Sequence, residues 1–126
     1  MREFYCPSCH AQVPFEQCEC TNCGDELLFE PAAFKMARLG GRSRCDNREI
    51  IGCNWSVKHP DHYCDSCCLN RTIPNLSKAR NILLWKRVEE SKRRLLYDLR
   101  RLRLPLASRS GVQVAFNILS DEDDQF

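Results

Sequence analysis

Ten cysteines in 126 residues carry most of the chemistry open to this chain, and their spacing sorts them into sets. Cys45 and Cys53 have seven residues between them, Cys64 and Cys67 form a C-x2-C pair, and ten residues separate the two halves. A loop of that length can bring four thiolates to one tetrahedral ion. Four thiolates close a zinc shell and leave no position for water or substrate, so such a site stabilises a fold and carries out no reaction. His59 and His62 stand in the intervening loop as alternative ligands, and Cys68 directly follows Cys67. Adjacent cysteines point in different directions, so Cys67 and Cys68 do not suit one ion together. The preferred ligand set is Cys45, Cys53, Cys64 and Cys67.

A second set stands at the start of the chain. Cys6-Pro7-Ser8-Cys9 and Cys20-Thr21-Asn22-Cys23-Gly24 are two C-x2-C knuckles, again with ten residues between them, which is zinc-ribbon spacing. In such a knuckle backbone N–H groups point at sulfur, and the residue after the second cysteine takes positive φ. Gly24 supplies that conformation at no steric cost, and His10 tolerates it better than most side chains, so His10 is read as a turn residue and not as a ligand. Cys18 is a spare thiol, because Cys20 has the correct partner spacing. Cys6, Cys9, Cys20 and Cys23 complete the first site, and the eight cysteines together imply two structural Zn2+ ions.

The elements that must hold these knuckles are short. Arg2 to Tyr5, Gln12 to Phe15 and Glu26 to Phe29 alternate as β-hairpin edges, each too short to be stable without the ion. Pro31 to Leu39 predicts a brief helix, with Pro31 in its first turn and Gly40-Gly41 ending it. Trp55 is expected to plug a core. Asn70-Arg71-Thr72 fits a glycosylation sequon; in a reduced metal-binding chain Asn70 and Arg71 are instead expected to hydrogen-bond the zinc loop to the helix that follows. Pro74 to Ser77 gives a turn and an N-cap, after which the period becomes helical over about 25 residues, Lys78 to Leu102, until Pro105. Leu84, Val88, Leu95, Leu99 and Leu102 form one apolar stripe, flanked by Trp85 and Leu96. The stripe is expected to lie on the zinc modules, leaving Arg87, Arg94 and Arg101 outward.

The predicted architecture is small, metal-stabilised and α+β. Its parts are an N-terminal ribbon (1–30), a linker with a short helix (31–41), a second four-cysteine module (42–76), the long basic helix (77–104), and a linker, strand and acidic tail (105–126). Val112, Val114, Phe116 and Ile118 alternate as a strand with no evident neighbour to pair with, which makes them a docking edge or the first strand of a further domain. With the cysteines gathered before residue 69, the first half substitutes metal for a large core.

The formal net charge of +2 counts the cysteines as neutral. Two tetrathiolate zinc sites at −2 each bring the total to about −2. The cations are also concentrated: between Lys78 and Arg103 stand ten of them against Glu89, Glu90 and Asp98. A basic helix therefore sits beside an acidic remainder. Met1 is followed by charged and polar residues and no apolar run approaches about eighteen residues, so neither a secretory signal nor a membrane span is expected. The expected location is the cytoplasm, where C-x2-C pairs stay reduced and bind metal.

The two N-terminal knuckles with Phe15-Glu16, then Cys53-Asn54-Trp55, Cys64-Asp65-Ser66-Cys67, Leu69 to Pro74, Leu84-Trp85, Lys92 to Tyr97 and Leu104-Pro105-Leu106, resemble the front part of the bacterial zinc-binding metallopeptidases that carry a zinc-ribbon head. The resemblance runs from Met1 to about Leu119. It implies that the head precedes a peptidase-like domain with a His-Glu-x-x-His motif, in which two histidines bind zinc and the glutamate activates water. The histidines here are His10, His59 and His62, and no glutamate lies between the last two. The chain is therefore expected to be a truncated, non-catalytic form. Its expected partner is the missing C-terminal domain or another protein. The alternative is a nucleic-acid-binding ribbon contacting phosphates through Arg87, Arg94 and Arg101. A redox role for Cys18 and Cys68 would rest on spare thiols alone.

Overall fold

Among the described residues, three two-stranded pairings, two α-helices and one 3-10 turn make up the regular structure. The computed structural model of the chain describes residues 3–58, 60–106 and 114–120. The chain divides into two compact units, Met1–Asp65 and Ser66–Phe126, and the architecture is α+β, with short hairpins and one long helix.

In the first unit β1 (Phe4–Tyr5) pairs antiparallel with β2 (Gln12–Val13), Phe4 opposite Val13. β3 (Leu27–Glu30) pairs antiparallel with β4 (Lys35–Arg38), Leu27 opposite Arg38 and Glu30 opposite Lys35. Two-residue strands contribute almost no ladder of their own, so their position is fixed by what they pack on. That is a cluster of rings. Phe29 has the Phe15 ring at 4.9 Å, Phe4 at 5.5 Å and Trp55 at 5.6 Å between centroids, the first two edge-on. Such pairs add about 0.5–1.5 kcal/mol each beyond the area they bury. Trp55 is the expected core plug, and Leu27, Leu28, Met36, Leu39 and Ile51 are buried with it.

Pro31 to Leu39 is not a helix. Residues 31–34 form the turn of the β3–β4 hairpin, with Phe34 in the left-handed region at φ 52°, and Lys35–Arg38 is a strand. Ala32-Ala33 favours helix locally, but β3 is buried and its backbone groups need partners, which β4 supplies. A four-residue helix, α1 (Arg48–Ile51), stands between Cys45 and Cys53 and ends at Gly52, whose φ of 68° no side chain adopts readily.

The second unit begins with a 3-10 turn over Cys67–Leu69, followed by β5 (Asn70–Thr72), α2 (Ala79–Arg101) and β6 (Phe116–Asn117). β6 runs parallel to β5, Asn70 opposite Phe116 and Thr72 opposite Asn117, and α2 lies in the connection that parallel pairing requires. The strand expected to lack a partner thus has one in its own unit, and Ile118 N–H adds a bond to Thr72 O at 2.9 Å. Val112, the start of that predicted strand, lies outside the described residues.

The ends of α2 differ from expectation. Ser77 is not the cap: its backbone N–H and its hydroxyl both bond Asn75 Oδ1, at 3.0 and 2.8 Å, and Lys78 holds the capping position without a side-chain hydrogen bond to the helix N-terminus. At the other end Arg103 takes φ 59°, Leu104 N–H reaches Leu99 O at 2.8 Å and Arg103 N–H reaches Arg100 O at 3.1 Å. This is a Schellman closure with arginine where glycine is usual, and Pro105 only follows it.

The larger correction concerns the buried face. Trp85, Glu89, Lys92, Arg93, Leu96 and Tyr97 are buried, whereas Leu84, Val88 and Leu95 are 42–49 % exposed and Leu99 is half-buried. Glu89 and Lys92 are tolerated there because they pair with each other, whereas the buried Arg93 guanidinium has no hydrogen-bond partner among the described residues. Lys92 Nζ lies 2.9 and 3.1 Å from the two Glu89 oxygens, 2.7 Å from Asn70 Oδ1 and 5.1 Å from the Phe116 ring centroid. Asn70 Nδ2 and Trp85 Nε1 in turn donate to Glu89 Oε1 at 2.8 and 3.0 Å. Asn70 therefore does tie the loop to the helix, as its position suggested. Among the described residues no helix is long and apolar enough to cross a membrane.

Candidate metal centres

The N-terminal knuckles are built twice to one plan. Cys6 N–H bonds Ala11 O at 2.8 Å and His10 N–H bonds Cys6 O at 2.9 Å; Cys20 N–H bonds Asp25 O at 2.9 Å and Gly24 N–H bonds Cys20 O at 2.8 Å. His10 and Gly24 hold matching left-handed conformations, φ 64° and 80°, as the sequence required of them. The Ser8 hydroxyl donates to Asp25 and so links one knuckle to the other.

This geometry gathers Cys6, Cys9, Cys20 and Cys23, with all four sulfurs within 4.8 Å of one another. The Cys6–Cys23 and Cys9–Cys20 separations are both 3.6 Å. A tetrahedron with Zn–S bonds of about 2.3 Å has edges of about 3.8 Å, so the sulfurs stand at the spacing one zinc requires and far beyond a disulfide bond. Cys45, Cys53, Cys64 and Cys67 form the second such group, all buried, with Cys53 and Cys64 again 3.6 Å apart. Their local supports are dissimilar: α1 separates Cys45 from Cys53, and Cys64 to Cys67 is a tight knuckle leading into the 3-10 turn. Soft thiolates in sets of four select zinc over harder divalent ions.

A zinc-ribbon domain family model matches the chain twice, over residues 3–44 and 38–78. The chain belongs to this zinc-ribbon family. The two four-cysteine clusters of the zinc ribbon fit two structural zinc ions. It is 32% identical over 128 aligned residues to an uncharacterized protein of Mycobacterium bovis and to uncharacterized proteins of two Mycobacterium tuberculosis strains. These alignments cover 95% of this chain and 38% of each relative, so the zinc-ribbon chain spans well under half the length of the proteins it matches. No solved structure matches it.

Within the first cluster the thiols differ in acidity. The Asn22 side chain and the Ala11 backbone N–H donate to Cys9 and hold its pKa down at about 6. Cys23 accepts from the Asp25 backbone N–H, but burial and the neighbouring thiols of Cys6, Cys20 and Cys9 push it up to about 12. Without metal, the cluster therefore ionises first at Cys9, because each further thiolate must form beside an existing one.

His62 is exposed, with Nδ1 3.6 Å from the Asp46 carboxylate, and is not a member of the second cluster. His59 lies outside the described residues. Cys18 and Cys68 belong to neither cluster; Cys68 is exposed, and the Cys18 thiol donates to Gly52 O at 3.3 Å. Sequence reasoning missed Asn54. It is fully buried beside Cys53, its Nδ2 donates to Phe15 O at 2.9 Å and Gln17 O at 3.0 Å, and its backbone carbonyl accepts Phe29 N–H at 2.7 Å. A polar residue between Cys53 and Trp55 was the available signal, since a buried amide must have partners.

Proposed function

We propose that this zinc-ribbon chain is a non-catalytic head that holds a protein partner in position, in the setting of the metallopeptidases its sequence resembles. The observation that carries this reading is the closure of both clusters: each has four sulfur ligands, and a tetrahedral zinc with four thiolates offers no site for water or a scissile carbonyl. The sequence contains no His-Glu-x-x-His stretch to supply a second kind of centre. The matched relatives are more than twice as long as the matched region, which agrees with a module that serves a larger assembly. Ligand sets made wholly of thiolates need reduced cysteines, which supports a cytoplasmic location.

The test is incubation of the purified, zinc-loaded chain with casein, with and without EDTA. No peptide release is expected under either condition. Zinc-dependent cleavage that disappears in His59→Ala or His62→Ala would overturn the reading.

A further inference from the structure

The exposed face of α2 is patterned more tightly than a solvated surface needs to be. Arg87-Val88, Arg94-Leu95 and Arg101-Leu102 repeat at intervals of seven residues, and Arg80 stands one interval earlier. All of these side chains are exposed, Val88 by 44 %, Leu95 by 49 % and Leu102 by 60 %. At about 100° per residue, the three apolar residues stay within about 40° of one another, and each arginine stands one residue before its apolar neighbour. A seven-residue apolar repeat is the seam of a left-handed helix pair, and charges beside it choose the partner. Near its start the seam meets a cavity of about 100 Å3 lined by Leu84, Val88, Ile118 and Leu119 and, on its polar side, by Arg80, Asn81 and Ser120.

We propose that this face docks an amphipathic helix of another polypeptide whose flanking residues are Asp or Glu. The proposal rests on the positioning role given above and names the chemistry of what is positioned. The arginine row decides the occupant. A second copy of the chain would set arginine against arginine in an antiparallel pair, where like charges across a seam oppose pairing, and in a parallel pair its arginines would meet no carboxylate, the facing positions being Trp85, Lys92 and Leu99, of which the first two are buried. Nucleic acid would match the charge of the arginines but would lay phosphates beside Val88, Leu95 and Leu102. An acidic-flanked helix covers the apolar row and neutralises the basic one together.

The experiment records methyl NMR spectra of the zinc-loaded chain titrated with two synthetic helical peptides of about 28 residues, four heptads each. Both carry leucine at the seam positions; one has Glu and the other Lys at the flanking positions, where like charge keeps each peptide from pairing with itself. The Glu peptide is expected to shift the Val88, Leu95 and Leu102 methyls and to bind at least tenfold more tightly than the Lys peptide. Leu95→Asp, at an exposed position, should abolish binding, and Arg87→Glu with Arg94→Glu and Arg101→Glu should reverse the preference. Equal binding of both peptides, no shifts with either, self-association lost in Leu95→Asp, or larger shifts of these methyls with a DNA duplex would each overturn the proposal. Failure to bind by a chain that cleaves no casein removes the docking face and leaves the non-catalytic reading intact; zinc-dependent cleavage removes that reading whatever the peptides do.

Discussion

Two adjacent leucines on α2 should respond to the same substitution by very different amounts. Leu96 is 5 % exposed and Leu95 is 49 % exposed. Truncating a buried leucine to alanine costs about 2–5 kcal/mol from lost transfer energy and the cavity left behind, whereas an exposed position away from special features stays within about 0.5 kcal/mol. With a urea m-value of about 1–3 kcal/mol/M, a loss of about 2 kcal/mol in Leu96→Ala lowers the midpoint by roughly 0.7–2 M, and Leu95→Ala leaves it almost in place. Trp85 is buried in the same helix, so a Trp55→Phe background makes it the single fluorescent reporter. Zinc must be held at one free concentration throughout, because metal bound to the native state shifts apparent stability by mass action. Equal losses in the two variants, or a larger loss in Leu95→Ala, would refute the assignment of the buried face and with it the exposed seam.

Elemental analysis of the purified chain should return two zinc ions per molecule, and strong chelation should unfold it, because a structural zinc contributes on the order of 10 kcal/mol that these small cores do not replace; one zinc, or iron, refutes the count. Zinc uptake at pH 7 should release the Cys23 proton, since that thiol is held up at about 12, while Cys9 at about 6 is already ionised. Below about pH 6 Cys9 must also surrender a proton, so affinity measured by chelator competition should fall more steeply by one proton there. Glu89→Ala should cost about 3–5 kcal/mol by leaving Lys92 charged and buried beside Asn70, an effect that Glu90→Ala does not share.

The knuckles were legible because their rules are local. A C-x2-C turn followed by glycine fixes the sulfurs, the backbone donors and the positive φ within six residues, and the structure adds only Ser8 and Asp25 as a link. The buried face of α2 was not legible from periodicity. Hydrophobic periodicity selects Leu84, Val88 and Leu95, but the helix turns inward the face bearing Glu89 and Lys92, and what makes those charges acceptable is Asn70, nineteen and twenty-two residues away. Likewise Pro31 and Gly40-Gly41 argued for a helix between them, and the need of buried β3 for a paired neighbour won. The parallel match of Phe116 to Asn70 joins positions 46 residues apart and leaves no mark in either segment alone.

Asn54 has a consequence for how metal is taken up. Its backbone neighbour Cys53 is a ligand of the second cluster, and its side chain grips the carbonyls of Phe15 and Gln17, which lie between the two knuckles of the first. Filling either centre therefore orders chain that the other needs, and the second ion binds to a molecule that has already given up part of its conformational freedom. Such linkage is reciprocal: whatever factor one zinc adds to the affinity for its fellow, the fellow returns. Loading should then be cooperative, with the singly loaded chain scarce in any titration, and Asn54→Ala should make it abundant while leaving all eight ligands in place.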